Sequence, residues 1–177
     1  EVVGLFNLAI KFCGLLSNVI FAGFMVFGRI YYKLWVPSVD VDVLQFVSII
    51  TLLGLVIEGS VTPLYYVYTL TTKIKLPCLI TILSGLTNVG GMFILLQFFD
   101  ADLWGVVGTT TVLTWGVNFI FNPLYTARCL GVDRYTFYPS IVKNILSAVV
   151  ILVIFKLISL IYYPTNWFGL IVVALGC

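Results

Sequence analysis

The stretch "LPCLITILSGLTNVGGMFILLQFF", residues 76–99, is 24 residues long and holds no charged side chain. A helix needs about 20 apolar residues to cross the hydrocarbon of a bilayer. A strand of a membrane barrel needs only about ten, alternating apolar with polar positions. Here the apolar run is continuous and too long for a strand. It reads as a membrane-spanning helix, with Pro77 in the first turn, where a missing N–H costs little.

The rest of the chain agrees. Hydrophobic residues make up 62% of it and charged residues 9%, against about 25% charged in a soluble domain. So little charge cannot clothe a water-facing surface. The predicted fold class is an all-α polytopic transmembrane helix bundle. Five full spans are expected: Phe12–Tyr32, Val43–Thr72, Leu76–Phe99, Leu103–Ala127 and Tyr138–Tyr162. A truncated sixth starts near Trp167. Residues 1–10 read as the tail of an upstream helix. The chain opens Glu1-Val2-Val3 and ends at Cys177 within an apolar run, so the reading is a piece of a longer protein.

Charge in the loops orients these spans. If they alternate, Lys11, Lys73, Lys75, Arg128, Arg134 and Lys143 share one side. The other side holds Arg29 and Lys33 with Asp40, Asp42, Asp100 and Asp102. Lysine and arginine favour the cytoplasmic side, which places the first group inward. Tyr31, Tyr32, Trp35, Trp104, Tyr162, Tyr163 and Trp167 then fall near the outer interface, as an aromatic belt does. Asp100 and Asp102 bracket a very short connection, so the third and fourth spans are expected to be antiparallel neighbours.

Polar residues inside the spans are the functional candidates. Glu58 lies near the middle of the second span, where a charge costs about 2.5–3.5 kcal/mol on insertion scales. A partner or a water-filled cavity removes that cost. Thr51, Glu58, Thr62 and Tyr65 are spaced by seven, four and three residues, so they share a helix face. Pro63 beside them is expected to bend the helix. A translocation cavity lined by this face is one reading; a protonated Glu58 bonded to a neighbouring helix is the other. In the fourth span Thr110, Thr114, Asn118 and Asn122 recur every four residues, a drift of about 40° per step. They line a passage or hydrogen-bond between helices. In the third span Gly85, Gly90 and Gly91 read as packing residues, and Asn88 as a residue that faces either a cavity or a helix. Arg29 and Lys156 either snorkel to the outer headgroups or contact an anionic substrate. If Glu58 and Lys156 both face inward, pairing would lower the cost of both.

Much chemistry is missing from the sequence. It has no histidine and none of the HExxH, GxSxG or P-loop patterns. No acidic metal cluster or basic nucleic-acid patch is visible, so neither a metal cofactor nor a nucleic-acid partner is expected. The expectation is a non-enzyme. Cys13, Cys78, Cys129 and Cys177 form no CxxC pair and read as small apolar packing residues.

One region is more specific. "FNPLYTARCLGVDRYTFYPSIVKNIL", residues 121–146, resembles the polysaccharide-biosynthesis flippases, the O-antigen transporter type of the multidrug/oligosaccharidyl-lipid/polysaccharide exporter superfamily. Pro123-Leu124-Tyr125 ends a helix, Arg128 to Arg134 form a short basic loop, and Phe137-Tyr138 precede a helix carrying Lys143. "YYKLWVP" (31–37) is similar to the family's Leu-Trp-Gly element, with Val36 where glycine is usual. "FDADLWGVVGTTTVLTW" (99–115) is similar to a Tyr-Gly-x-x-Gly-Ala-Ala helix start, matched at Gly105 and Gly108.

The resemblance implies that residues 1–177 form one bundle, the C-terminal half of a two-bundle transporter in a bacterial or archaeal cytoplasmic membrane. Its implied partners are a lipid-linked glycan, membrane lipid and the other half of the same transporter. The implied activity is flipping of polyprenyl-diphosphate glycans by alternating access. Some relatives couple transport to H+ or Na+ gradients, a role open to Glu58. A multidrug-type antiporter is the alternative, and a membrane-embedded transferase a further one. A basic, hydroxyl-rich cavity suits a glycan diphosphate; an acidic apolar one suits a cationic drug.

Overall fold

The structure, a computed structural model, describes residues 2–36, 38–98, 102–161, 166, 167 and 169. It is helical almost throughout, with no strand among the described residues. Helix α1 spans Val2–Trp35, α2 Val41–Val61, α3 Tyr65–Leu70, α4 Lys75–Phe98, α5 Asp102–Trp115, α6 Asn122–Leu130 and α7 Tyr138–Ile161.

Four stretches among the described residues are long and apolar enough to cross a membrane: Val2–Trp35, Val41–Leu70, Lys75–Phe98 and Tyr138–Ile161. This corrects the reading of the first ten residues. No proline interrupts the chain before Trp35, so Val2–Ile10 are the opening turns of α1 rather than the tail of another helix. The stretch expected as a fourth span is built in pieces, as α5, a π turn at Gly116–Phe121, and α6. In that turn Asn122 N–H reaches back five residues to Val117 O. Pro123 follows and has no N–H to offer Phe119 O. The Tyr138 hydroxyl donates to that carbonyl at 3.0 Å instead. Beyond residues 166, 167 and 169 the expected sixth span lies outside the described residues, as do the Asp100 side of the third connection, Tyr162 and Tyr163.

Pro63 acts as expected, converting Thr62–Leu64 into a 3-10 turn between α2 and α3. Asp40 caps α2, its carboxylate accepting from the N–H groups of Asp42 and Val43. Gly131, at φ 66°, ends α6 in the left-handed conformation that glycine adopts without strain.

The helices pack in a row. α7 lies on α1, α1 on α2, α2 on α5, and α5 on α4, and α7 also meets α2 directly. One core joins Ile10, Ile57, Val61, Leu64, Ala127, Phe137 and Ile141. A second joins Ala22, Phe27, Ile30 and Phe155 of α1 and α7. Of α4 only Pro77 is buried, so most of that helix faces outward.

The two ends of the row differ as the loop charges predict. At one end the Lys73 ammonium donates to Cys129 O at 3.4 Å, and the Tyr125 hydroxyl donates to Lys73 O at 3.1 Å. These contacts bring the two basic connections together. At the other end Arg29 pairs with Asp42 at 2.7 Å. Tyr31 packs against Tyr32, Trp35 and Trp167 there, and Phe46 against Trp104.

Candidate functional site

Two polar clusters and one open polar face lie within the spans. The first cluster sits where α1, α2 and α7 meet. Asn18, fully buried, donates from Nδ2 to Asn144 O at 2.7 Å and to Ser147 Oγ at 2.8 Å. Asn144 Nδ2 donates to Ile10 O at 2.7 Å and to Ser60 Oγ at 3.2 Å. Gly14 and Gly59 permit this closeness. A Cβ on Gly14 would lie 2.6 Å from Asn144 Cγ, and one on Gly59 would lie 2.5 Å from Ser17 Cβ. Carbon atoms pack best at about 3.5–4.0 Å, so neither site admits a side chain unless the helices part. The sequence reading overlooked this cluster. Its signal was present: Gly14 and Asn18 are four residues apart, and Ser140, Asn144 and Ser147 are spaced by four and three.

The second cluster joins α3 to the π turn and α6. The Tyr65 hydroxyl donates to Asn118 Oδ1 at 2.7 Å and accepts from Asn122 Nδ2 at 2.8 Å. Asn122 Nδ2 also reaches Asn118 Oδ1 at 2.8 Å. The Tyr68 hydroxyl donates to Asn122 Oδ1 at 2.9 Å and accepts from Thr126 Oγ1 at 3.2 Å. Asn118, Asn122, Tyr68 and Thr126 are buried. Three of the expected site residues, Tyr65, Asn118 and Asn122, are thus brought together and bonded to one another. Tyr68 and Thr126 complete the cluster. The sequence reading passed over both; for Thr126 the signal was its spacing of four residues from Asn122, which continues the stripe.

The open face is on α2 and the turn after it. Thr51, Glu58 and Thr62 are exposed, and Tyr65 is 39% exposed. The Thr51 hydroxyl donates to Val47 O at 3.0 Å, and the Thr62 hydroxyl to Glu58 O at 2.8 Å. Both hydroxyls therefore spend their proton on their own helix. The Glu58 carboxylate has no hydrogen-bond or ion-pair partner among the described residues. Thr114 is half-buried across from Gly54, with its methyl 3.6 Å from where a Gly54 Cβ would be. That contact places Thr114 one turn from Glu58. Asn88, on α4, accepts from the Thr110 hydroxyl at 3.4 Å.

The two expected cationic contacts lie apart from this face. Lys156 is exposed on α7 and does not pair with Glu58. The pairing fails because the two residues sit at different levels: Phe155, next to Lys156, packs against Phe27 of α1, whereas Gly59, next to Glu58, meets α1 at Ser17 and Cys13. Arg29 is engaged with Asp42 at the aromatic end of the row.

No protein-family profile matches the chain, and no solved structure matches it. The chain is similar to the "Uncharacterized membrane protein EpsK" of Bacillus subtilis (strain 168), at 29% identity over 117 residues. Those residues are 66% of this chain and 23% of EpsK, so the likeness reaches less than a quarter of the relative's length. Four helices able to span a bilayer, together with this likeness, make the chain a membrane-embedded helical protein.

Proposed function

We propose that this chain is one bundle of a transporter that flips a lipid-linked oligosaccharide, its glycan carried on a polyprenyl diphosphate, across a bacterial cytoplasmic membrane by alternating access. The carrying observation is the open polar face of Thr51, Glu58, Thr62 and Tyr65 inside an otherwise apolar span. Lipid is a poor neighbour for that face. A second bundle set against it would enclose a passage with Glu58, Thr62, Tyr65 and Thr114 on one wall. Glycan hydroxyls, which cannot shed their hydrogen bonds in hydrocarbon, would find replacements there. The polyprenyl tail would stay in the bilayer while the two bundles rock about the site. The likeness to a bacterial membrane protein fits this reading, and so do the flippase-like motifs of residues 121–146. No covalent step on the substrate and no bound cofactor is required. An H+ or Na+ gradient acting at Glu58 would supply the driving force.

The test is reconstitution of the full-length protein in vesicles with fluorescent lipid-linked glycan. Glu58→Gln and Lys156→Ala are compared with wild type. The expected result is slower flipping with Glu58→Gln and a wild-type rate with Lys156→Ala, which lies apart from the face; a wild-type rate with Glu58→Gln overturns the site. A multidrug-type antiporter is the second reading. It is favoured by one observation, a carboxylate on this face without a cationic partner among the described residues. Saturable efflux of a cationic dye, with no movement of the glycan lipid, would select it.

A further inference from the structure

We infer that Glu58, Thr114 and Asn118 form one wall of a sugar subsite, and that Glu58 makes it selective for rings without an acidic group. The inference rests on the transport reading for the lipid that brings the sugar, and it names the part of that substrate which meets this face.

The register between α2 and α5 brings the three residues together. The Thr111 hydroxyl reaches Ile50 O at 3.4 Å, and the Thr114 methyl is 3.6 Å from where a Gly54 Cβ would be. The two helices therefore run parallel and advance together. One turn further on come Glu58 and Asn118, where α2 meets the π turn. Glu58 is four residues from Gly54, so it keeps the side facing α5 with a drift of about 40°. That drift carries it to the mouth of the α2–α5 groove, where it is exposed. Tyr65, on the same face two turns nearer the basic end, bonds Asn118 and closes the groove's lower edge.

Asn118 supplies the observation that points to a ligand. It is only 5% exposed. Its Oδ1 is occupied by the Tyr65 hydroxyl and by Asn122 Nδ2. The amide is held this way round because Asn122 Oδ1 is taken by Tyr68, which leaves Asn122 only a donor to offer. Asn118 Nδ2 is left without a partner among the described residues. It is not sealed in, since among those residues Asn18 Oδ1 is the one polar side-chain atom that is both sealed and unbonded. An unspent amide donor therefore opens at the surface beside Tyr65. The Thr114 hydroxyl is also unbonded among the described residues, whereas those of Thr109, Thr110 and Thr111 donate to their own helix. With the Thr114 methyl turned to Gly54, its oxygen is left for a ligand.

The three groups ask for different partners. A carboxylate only accepts, an amide nitrogen only donates, and a hydroxyl does either. Sugar hydroxyls both donate and accept, so one ring can answer all three. Thr114 and Asn118 are about 6 Å apart along their helix, a spacing that one ring spans. Tyr65 and Trp115, each 39% exposed, add aromatic surface for its apolar faces. A uronate or a phosphate offers acceptors only, and beside Glu58 it meets like charge in surroundings of low dielectric. The cations that would answer it are elsewhere. Arg29 is paired with Asp42, Lys156 lies apart, and Lys73 is at the basic end. The diphosphate therefore belongs toward the basic end, with the sugar abreast of Glu58.

The experiment uses the full-length protein in micelles and three polyprenyl diphosphate lipids: bare, carrying glucose, or carrying glucuronic acid. Retention is read by native mass spectrometry. Wild type is expected to retain the glucose lipid about ten-fold better than the glucuronic acid lipid, the size of one hydrogen bond to a charged group. Glu58→Gln keeps the shape, removes the charge and should close most of that gap. Thr114→Val keeps a methyl toward Gly54, removes the hydroxyl and should weaken glucose retention about three-fold. Lys156→Ala should leave every ratio unchanged. Equal retention of the two sugar lipids by wild type overturns the inference. So does an undiminished gap in Glu58→Gln, or a glucose lipid held no better than the bare one. Flipping in vesicles, measured on the same protein, separates this inference from the transport reading. Preferential retention of glucose without flipping removes transport and keeps the subsite. Flipping of both sugar lipids with equal retention keeps transport and removes the subsite.

Discussion

Replacing Gly59 by alanine tests the tightest seam in the molecule. The new Cβ would stand 2.5 Å from Ser17 Cβ and 3.5 Å from Cys13 O. The second distance is ordinary contact; the first is about 1–1.5 Å inside the optimum. A Cβ is fixed to its backbone, so Ser17 cannot turn aside and α1 must move from α2. Overpacking of this kind costs about 1–3 kcal/mol. The same movement stretches the Asn144 bonds that tie α7 to Ile10 O and Ser60 Oγ. Each such bond contributes about 0.6 kcal/mol in a membrane protein. The expected loss is therefore about 2–4 kcal/mol, measured by denaturant unfolding in mixed micelles. Gly85→Ala is the control, since nothing lies within 4 Å of a Cβ there, and it should be as stable as wild type or more so by up to about 1 kcal/mol, alanine being the better helix former. Ser17→Gly removes the obstructing atoms. Combined with Gly59→Ala it should recover most of the loss, giving a coupling of at least about 1 kcal/mol in a double-mutant cycle. Equal stability of Gly59→Ala and Gly85→Ala, or no recovery with Ser17→Gly, would refute the reasoning.

Two further substitutions address other parts of the row. Tyr68→Phe strips Asn122 Oδ1 of its donor and Thr126 of its acceptor in a buried setting, and should cost about 1–2 kcal/mol in the same unfolding assay. Arg29→Ala breaks an ion pair whose side chains are 49% and 68% exposed, and should shift stability by less than about 1 kcal/mol, with salt reducing even that.

The class of the fold was legible because its cause is local. An uncharged run of the length of residues 76–99 can only cross a bilayer or be buried, and the loop charges sort the ends. The break at Pro63 was equally local. The π turn was harder to see. It depends on Pro123 withholding a donor and on Tyr138, 19 residues from Phe119, supplying another. The α1–α2–α7 seam was missed for a similar reason. Asn18 and Asn144 are 126 residues apart, and each alone is a lone amide in an apolar helix. The stripe of Thr114, Asn118 and Asn122 was visible by spacing, whereas its engagement by Tyr65 and Tyr68 required the tertiary fold.

Glu58 is the residue on which these strands of reasoning separate. The first cluster satisfies its donors within the chain, and the second bonds Tyr65 to its own asparagines. Thr51 and Thr62 return their protons to their own helix. What the open face still demands from outside is polarity for a single carboxylate. The effect of Glu58→Leu in the full-length protein therefore depends on what meets it. If the face borders a wet passage, the carboxylate is already solvated. Leucine then changes stability by less than about 1 kcal/mol, and transport of the lipid-linked glycan falls. If the face meets lipid, leucine relieves a penalty of about 3 kcal/mol, and the variant becomes more stable with transport unaltered. Unfolding in micelles and flipping in vesicles, measured on the same preparation, give opposite patterns for the two cases. A stabilised, fully active Glu58→Leu protein would remove the physical reason for placing a passage along α2.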